Sequence, residues 1–239
     1  MPRLSAVTWN LNGLDALALD QRTEAACLKL LLRPDPPDVV GLQEVVRRSW
    51  HAHLKHHFAA AGYHAIPTDP TATDSGYFCA LLVRGDHRIL EQMVAPFPGS
   101  RMGRNLVAAR VTIGDRVWWF GTAHLESGKA GSGERVRQAR QVWEAMGDLA
   151  WFGGDTNLRK DEAGVLPDGL VDAWEASGSA VVDRATWPAQ RGRRPGARFD
   201  RSWVRGAAVA DFSLFGRKPA LDFDGPPSDH LGVRVELVA

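Results

Sequence analysis

The chain has 239 residues, of which 44% are hydrophobic and 24% charged, and these proportions exclude disordered and fibrous chains. No apolar run approaches the ~20 residues that a membrane-spanning helix needs, so an integral membrane protein is excluded, and one domain over residues 1–239 is expected. The formal net charge is +1, from 29 basic and 28 acidic residues, so the chain as a whole is neither strongly basic nor strongly acidic.

Taken in chain order, apolar runs predict short strands, and helical spacings predict a few helices between them. A strand over 4–9 precedes a helix over 21–32, a buried strand over 39–42, a helix over 47–61 and a strand over 77–83. Strands over 105–113 and 117–124 flank Gly114 and Asp115, which form a two-residue hairpin signal. A helix over 132–146 and strands over 149–152, 198–204, 209–214 and 231–238 follow.

These elements indicate an α/β (α+β) fold dominated by strands. Strict alternation of strand and helix is missing, and several strands are joined by hairpin-like turns, which argues against a doubly wound sheet. Two stacked sheets with outer helices, a two-layer β-sandwich, fit the pattern better. The loops over 184–198 and 216–228 hold much of the Pro and Gly and are expected to be surface-exposed.

The two cysteines and the start of the chain indicate a compartment. Cys27 and Cys79 both sit in apolar patterns, which is typical of a reduced protein interior rather than of a disulfide framework. The first residues read as a strand and not as a signal peptide. We therefore expect a cytoplasmic protein.

The basic residues are concentrated in one stretch. Residues 184–205 contain seven arginines and one acid, Asp200, a local charge of +6 on a nearly neutral chain. Such a cluster is the pattern expected for a phosphate-rich partner such as nucleic acid. The alternative is a solvated arginine-rich loop.

Polar residues follow or precede the apolar strands at their ends. Strand ends at one rim of a sandwich can converge in space, and they then offer carboxylates, amides and imidazoles on a rigid base, as a metal-dependent phosphoryl site requires. The residues are Asn10, Asn12, Gln43, Glu44, His124, Glu126, Ser127, Asp155, Asn157, Ser228, Asp229 and His230.

Four of these strand ends carry motifs that occur together in a known superfamily. The motifs TWN (8–10), LQE (42–44), GDTN (154–157) and SDH (228–230), in this order, resemble the endonuclease/exonuclease/phosphatase superfamily. TWNLNGLD (8–15), HLES (124–127), GGDTNLR (153–159), TW (186–187), RFDR (198–201) and PSDH (227–230) resemble one branch of it, the 5′-tyrosyl-DNA phosphodiesterases. The resemblance spans residues ~5–238 and implies a two-layer β-sandwich flanked by helices.

The resemblance implies a Mg²⁺ site. Glu44 matches the main metal ligand, and a carboxylate at the end of a buried strand is costly unless it is paired or bound to a metal. Asp229 matches either a second acidic ligand or the residue that orients a neighbouring imidazole. Asn12 stands where relatives often carry Asp, and its amide can still coordinate or hydrogen-bond. Mn²⁺ is a possible substitute for Mg²⁺.

The resemblance also implies catalytic roles. Asp155 matches the residue that positions and deprotonates the attacking water. Asn157 matches the residue that holds the water or the phosphoryl oxygens. His124 and His230 match donors to the phosphoryl oxygens as negative charge develops. Asn10 resembles a further phosphate or terminal-nucleotide contact.

A second group is implied to bind the DNA. Ser127 resembles another contact to the phosphate or the terminal nucleotide. Trp187 and Phe199 bracket the arginine cluster, and aromatic faces among arginines suit a splayed single-stranded 5′ end. Arg159 and Tyr77 resemble further contacts to that end. The alternative for Trp187 is core packing.

Four histidines in the helix predicted over 47–61 raise the possibility of a second metal site. His53 and His57 have the i, i+4 spacing that can bind zinc. No carboxylate or cysteine near them in the sequence completes a site. We therefore expect an exposed helix face, with His51 and His56 on it as well.

The implied function is Mg²⁺-dependent hydrolysis of 5′-phosphotyrosyl linkages between protein and DNA, leaving a 5′ phosphate, in DNA repair. The expected partner is DNA with a 5′ adduct on a single-stranded end, the expected state is a monomer, and no membrane is involved. Because TWN begins at residue 8, we expect the N-terminal ubiquitin-binding segment of animal relatives to be absent. An abasic-site endonuclease or exonuclease, or another metal-dependent phosphodiesterase of the superfamily, is the alternative.

Overall fold

Two six-stranded sheets stack on each other, and helices cover their outer faces. The computed structural model describes residues 3–67, 69–73, 76–162, 164, 169–188, 196–219 and 223–239. In this part of the chain the strands are β1 Arg3–Asn10, β2 Val39–Val45, β3 Tyr63–Ile66, β4 Phe78–Arg84, β5 Arg88–Pro96, β6 Asn105–Ile113, β7 Arg116–Ala123, β8 Ala150–Asp155, β9 Val171–Asp172, β10 Asp200–Arg205, β11 Ala208–Phe215 and β12 Gly232–Val238. The helices are α1 Leu19–Leu31, α2 Arg47–Ser49, α3 Lys55–Ala60, α4 Ser132–Ala145 and α5 Ala173–Ala176, with a π-helical turn Trp50–Leu54 between α2 and α3.

Both sheets are mixed, and this places several strand ends at one rim. The strand order is β11-β12-β1-β2-β4-β3 in one sheet and β5-β6-β7-β8-β10-β9 in the other. β1 runs parallel to β2, and β7 runs parallel to β8, while β12 and β10 are antiparallel to them. The carboxyl ends of β1, β2, β7 and β8 therefore lie beside the amino ends of β10 and β12.

The sheets approach each other closely near that rim. A Cβ atom on Gly41 would lie 2.7 Å from Thr122 Oγ1 of the opposite sheet, so no larger residue fits without a shift. Gln43 Nε2 donates to Thr8 Oγ1 at 2.9 Å and to Thr122 Oγ1 at 2.8 Å. This buried amide therefore links β1 and β2 to β7 and fixes one sheet against the other.

Three apolar clusters fill the layers between sheets and helices. One lies between the two sheets and includes Phe120 and Trp151. A second packs α1 and the residues 50–58 onto the outer face of the first sheet. The third packs α4, through Val142 and Trp143, onto the outer face of the second sheet. This four-layer arrangement confirms the predicted sandwich with flanking helices.

The predicted elements are present, with small shifts of their ends, and the turn at Gly114 joins β6 to β7. β3, β5 and β9 were not predicted. β9 has two residues and β3 four, too few for a periodic signal, and β5 is an edge strand whose pattern RILEQMVAP does not alternate. The helix predicted over 47–61 contains the π-helical turn Trp50–Leu54.

Two expectations are corrected by the packing. The loops over 184–198 and 216–228 are not exposed throughout, because Thr186 and Ser228 are buried, where they accept or donate hydrogen bonds beneath the surface. His53 and His57 do have a carboxylate neighbour, Glu24 of α1, which the sequence places some thirty residues away.

No helix in the described ranges combines the length and the apolar character needed to cross a membrane.

Candidate active site

The rim of the sandwich carries a buried cluster of polar side chains. Asn10 ends β1, Asp155 ends β8, and the Nδ2 atom of Asn10 donates to Asp155 Oδ2 at 2.9 Å. His124 follows β7 directly and pairs with Asp155 through a backbone bridge. His230 lies two residues before β12. Strand ends from both sheets therefore converge on one point, as the sequence predicted.

Asp155 is the centre of this cluster. Its Oδ2 atom lies 3.3 Å from His124 Nε2 and 3.9 Å from His230 Nε2, and its Oδ1 atom accepts from the Asn157 backbone N–H at 3.1 Å. Burial alone would raise the pKa of Asp155, but the two histidines and the hydrogen bonds from Asn10 and Asn157 outweigh it and lower the pKa. The carboxylate is therefore ionised at neutral pH.

His124 is buried and neutral. Burial lowers its pKa to about 3, against the attraction of Asp155, and the nearby charge of Arg104 lowers it further. Its Nδ1 atom has no hydrogen-bond partner among the described residues and lies 3.7 Å from Glu44 Oε1. A neutral ring with one free nitrogen can donate to or accept from a ligand at this point.

His230 is held in the opposite charge state by Asp200. Burial would lower the pKa of His230, but the charges of Asp200 and Asp155 raise it to about 10. The Nδ1 atom of His230 lies 2.8 Å from Asp200 Oδ2, and Asp200 is fully buried at the start of β10. The imidazolium therefore presents Nε2–H to the centre of the cluster, as a donor that suits a phosphoryl oxygen.

Asp200 was missed as a functional residue by sequence reasoning. It lies within the motif RFDR (198–201), which was the available signal in the sequence, whereas its position opposite Asp155 in the β8–β10 ladder is visible only in the structure. Asp155, Asp200 and His230 lie close enough together to hold a metal ion. The Nδ1 atom of His230 is already paired with Asp200 Oδ2 at 2.8 Å, and its Nε2 atom faces Asp155, so the geometry also fits a carboxylate–imidazole–carboxylate relay.

Glu44 has the properties of a carboxylate that needs a cation. Its side chain is 16% exposed, and burial, together with the charges of Asp155 and Asp229, raises its pKa although Asn10 donates a hydrogen bond to it. Its φ angle is 50°, a strained left-handed conformation for this residue, of a kind that concentrates at functional sites. A bound divalent cation would offset the cost of both features.

Two further oxygen donors lie on the neighbouring loops. Asp229 accepts a hydrogen bond from Trp187 Nε1 at 3.1 Å through Oδ2, while its Oδ1 atom is buried and has no partner among the described residues. Asn12 is held by its backbone N–H, which donates to Asn10 Oδ1 at 2.9 Å. Carboxylate and amide oxygens are the ligands that Mg²⁺ prefers. The donor set of Glu44, Asp229 and Asn12 therefore fits magnesium.

Arg104 is a second residue that sequence reasoning missed. It precedes β6, with no motif around it, and it is buried. Its guanidinium lies over the ring of Tyr77 at 4.9 Å, and its Nη2 atom lies 3.3 Å from His124 Nε2. Its Nε and Nη1 atoms have no partner in the part of the chain that the structure describes. A buried cation with free donors offers a site for negative charge.

The aromatic pair predicted to bind DNA comes together beside the cluster. The rings of Trp187 and Phe199 lie 5.9 Å apart with an interplanar angle of 40°. Trp187 is fixed by reciprocal backbone hydrogen bonds with Ala197, both 2.9 Å, and by its bond to Asp229. Trp187 is only partly buried, so it is not a core residue. The pair therefore joins the predicted DNA-binding segment to the candidate metal ligands.

A basic cleft extends from Phe199. It has a volume of about 830 Å³, and its basic lining residues are Arg159, Lys160, Arg184, Arg198, Arg201 and Arg217. Arg198 and Arg201 are paired with Asp172, and Arg217 with Asp183. Arg159, the predicted contact residue, is exposed at the edge of the cleft. Ser127 is partly buried on the loop after β7, where its hydroxyl donates to Met102 Sδ at 3.4 Å. Arg191, Arg193 and Arg194 of the arginine cluster lie outside the described residues.

Comparison with known proteins identifies the family. Residues 7–230 match the model of the Endonuclease/Exonuclease/phosphatase family. The chain belongs to this family. Tyrosyl-DNA phosphodiesterase 2 of Homo sapiens is 33% identical over 254 residues, which cover 98% of this chain and 67% of that protein. The Rattus norvegicus protein is 36% identical over 253 residues, covering 98% of this chain but only 66% of its own length.

Solved structures of tyrosyl-DNA phosphodiesterase 2 have the same fold as this chain. The chain superposes on D. rerio tyrosyl-DNA phosphodiesterase 2, complexed with a single-strand DNA product, with a TM-score of 0.89, 33% identity and full coverage of both chains. For truncated Caenorhabditis elegans tyrosyl-DNA phosphodiesterase 2 the TM-score is 0.83 and the identity 29%, covering 99% and 98% of the two chains. The predicted fold and family are confirmed. The roles of the individual residues stay predictions.

Proposed function

We propose that this protein is a Mg²⁺-dependent phosphodiesterase that hydrolyses 5′-phosphotyrosyl linkages between protein and DNA, leaving a 5′ phosphate, in DNA repair. The observation that carries the proposal is the hydrogen bond from Trp187 Nε1 to Asp229. It joins an aromatic stacking surface to a candidate metal ligand. This connection supports a binding mode in which a terminal nucleotide stacks on Trp187 and its 5′ phosphate reaches the rim cluster.

The reaction is an in-line attack of water on the 5′ phosphorus. The bond between the water oxygen and phosphorus forms while the bond from phosphorus to the tyrosyl oxygen breaks, giving a 5′ phosphate and free tyrosine. Asp155, which is ionised and held by Asn10 and the Asn157 N–H, orients the water and accepts its proton. Asn157 itself lies beside this position, with its side-chain amide donating to Leu125 O at 3.2 Å.

Charge that develops on the phosphoryl oxygens faces fixed donors. His230, kept protonated by Asp200, presents Nε2–H. Neutral His124 has a free Nδ1 atom, which donates in the tautomer that carries the proton there. A Mg²⁺ ion held by Glu44, Asp229 and Asn12 would supply Lewis-acid stabilisation of the same oxygens. Donors that are already oriented cost no reorganisation during the reaction.

The leaving group determines which acid the site needs. A phenol has a pKa of ~10, well below that of a sugar alcohol, so a tyrosyl oxygen leaves with little help from an acid. Arg104, buried over Tyr77 with unpartnered donors, can stabilise the phenolate charge without transferring a proton. The site therefore favours aryl over alkyl phosphodiesters.

Recognition of the DNA relies on features that every sequence shares. Trp187 and Phe199 offer ring faces for base stacking, and the basic cleft offers charges for the phosphates. Such contacts are sequence-tolerant and suit a single-stranded 5′ end. The D. rerio structure with a single-strand DNA product supports this mode of binding.

The test compares substrates on the purified protein with Mg²⁺. We expect release of tyrosine from a 5′-phosphotyrosyl oligonucleotide, and much slower cleavage of an abasic duplex and of inositol phosphates. Glu44→Gln should abolish turnover and its Mg²⁺ dependence, whereas Glu144→Gln, an exposed change on α4, should not. Faster cleavage of the abasic duplex would replace the proposal with the endonuclease alternative.

The remaining parts of the proposal concern the ion, the oligomeric state and the compartment. Mg²⁺ is preferred because the candidate ligands are oxygens, and Mn²⁺ should substitute for it because both ions accept oxygen ligands. We propose a monomeric protein in the cytoplasm. Titration of activity with each ion, and the mass in solution, test the first two statements.

A further inference from the structure

A cluster of histidines and carboxylates lies on the outer helices, apart from the rim. Glu24 of α1 faces His53, in the π-helical turn, and His57, on α3. The Glu24 Oε2 atom lies 3.0 Å from His53 Nδ1 and 2.8 Å from His57 Nε2. The three side chains are only 20–36% exposed, and their ligand atoms all lie close enough together to hold one ion.

The spacing of these atoms fits a tetrahedral zinc site. With bonds of ~2.0–2.1 Å from zinc to nitrogen or oxygen, two ligand atoms of a tetrahedron lie about 3.3 Å apart. The two distances from Glu24 are within a few tenths of an ångström of that value. Small side-chain rotations would admit the ion, and two histidines, one carboxylate and a water form a common zinc ligand set.

The second nitrogen of His53 provides an independent observation. Its Nε2 atom lies 3.4 Å from Asp20 Oδ1, and Asp20 is itself held by Arg48, whose Nε donates at 3.1 Å and whose Nη2 also contacts it. A metal-ligating histidine almost always donates its other N–H to a carboxylate, a backbone carbonyl or a water, and this hydrogen bond fixes the ring. His53 is therefore oriented as a zinc ligand would be.

We propose that Glu24, His53 and His57 form a second metal site, which binds Zn²⁺ with a water as the fourth ligand. The site links α1 to the helical segment 47–60. α1 also carries Arg22, which donates to the backbone oxygens of Leu11 and Pro227 at 3.2 Å each and so holds the loops beside Asn12 and Asp229. Zinc at this site stabilises the helix on which those loops rest.

The experiment measures binding directly and does not use activity. Zn²⁺ is titrated into the purified protein by calorimetry in excess Mg²⁺, which occupies the candidate active site. We expect one equivalent to bind in the wild type and none in Glu24→Gln or His53→Ala. His51→Ala and His56→Ala remove exposed histidines of the same segment, and they serve as matched controls that should keep the site.

Two further measurements make the result decisive. Co²⁺ in place of Zn²⁺ should give the strong visible absorption of a tetrahedral site, lost in His57→Gln but kept in Glu44→Gln. Zinc at ~100 times its dissociation constant should raise the Tm of the wild type by roughly 5–10 °C and leave that of His57→Gln unchanged. Circular dichroism confirms that each variant folds.

Three outcomes would overturn the proposal. No zinc binding by the wild type would mean that the cluster is a hydrogen-bonded contact between helices. Equal binding by wild type, Glu24→Gln and His57→Gln would place the ion elsewhere. Loss of the cobalt band in Glu44→Gln would place it at the rim.

Discussion

A buried ion pair holds together two loops of the candidate active site, and removing it should cost stability. Arg135 of α4 is fully buried, and it donates to Glu162 from Nε at 2.7 Å and from Nη2 at 2.8 Å. Its Nη1 atom donates to the backbone oxygen of Gly128 at 2.7 Å. Glu162 in turn accepts from the Arg159 N–H at 2.9 Å. The pair thus connects the loop after β7 with the loop after β8.

The magnitude follows from the pKa of Glu162. Burial raises it, but hydrogen bonds from Arg135, Ser132 and the Arg159 N–H outweigh burial and lower the pKa from 4.5 to about 2. Each pKa unit corresponds to 1.36 kcal/mol, so lowering the pKa by ~2.5 means that ionised Glu162 adds about 3 kcal/mol to the free energy of unfolding. This agrees with the ~3–5 kcal/mol lost when one partner of a buried pair is removed.

We predict that Glu162→Gln lowers the Tm by roughly 6–12 °C at pH 7, taking 2–4 °C per kcal/mol for a domain of this size. Because the folded pKa is depressed, the stabilisation is fully present above pH 4.5 and is lost as the pH falls through about 2. Thermal melts should therefore show that the difference in Tm between the wild type and Glu162→Gln becomes smaller as the pH falls from 7 to 3.

A pair with one exposed partner on the same helix is the matched control. Arg137 is 67% exposed and contacts Glu134, which is 10% exposed. Because the Arg137 guanidinium stays in water, we expect its removal to cost at most ~1 kcal/mol. Arg137→Met should therefore lower the Tm by no more than about 4 °C. If Glu162→Gln melts no earlier than Arg137→Met, or if its difference from the wild type stays constant with pH, the reasoning from the buried pair is wrong.

Three predictions concern catalysis and binding. Asp155→Asn should lower kcat by at least the ~10²–10⁴-fold of a lost general base while leaving the Kd for product DNA nearly unchanged; parallel losses in both would indicate a structural role. Trp187→Ala should weaken binding of a single-stranded 5′ end by roughly 5- to 150-fold, the value of one base stack, and an unchanged Kd would remove Trp187 from the DNA-binding surface. A 5′ nitrophenyl phosphodiester should be cleaved readily and an unmodified internal linkage orders of magnitude more slowly, measured as rates on one oligonucleotide and repeated on a second sequence; equal rates would contradict the leaving-group argument.

The sequence alone determined the layout of the sandwich and the location of its chemistry. Buried strands appear as apolar runs because both faces of a stacked sheet are covered, and the turn at Gly114 is visible because a positive φ, here 62°, favours glycine. Polar residues such as Asn10, Glu44 and Asp155 stand out because they interrupt those runs at the strand ends. Local patterns of this kind need no knowledge of which strands are neighbours.

Only the tertiary structure decided which side chains act together. Asp200 beside His230 depends on the β8–β10 ladder and on the stacking of the sheets, and Arg104 beside His124 depends on the β6–β7 hairpin. Glu24 meets His53 because α1 packs beside the helical segment 47–60. These contacts join residues 20 to 30 positions apart, and the charge state of a buried group is set by such neighbours and by exclusion of water, neither of which a local pattern of residues contains.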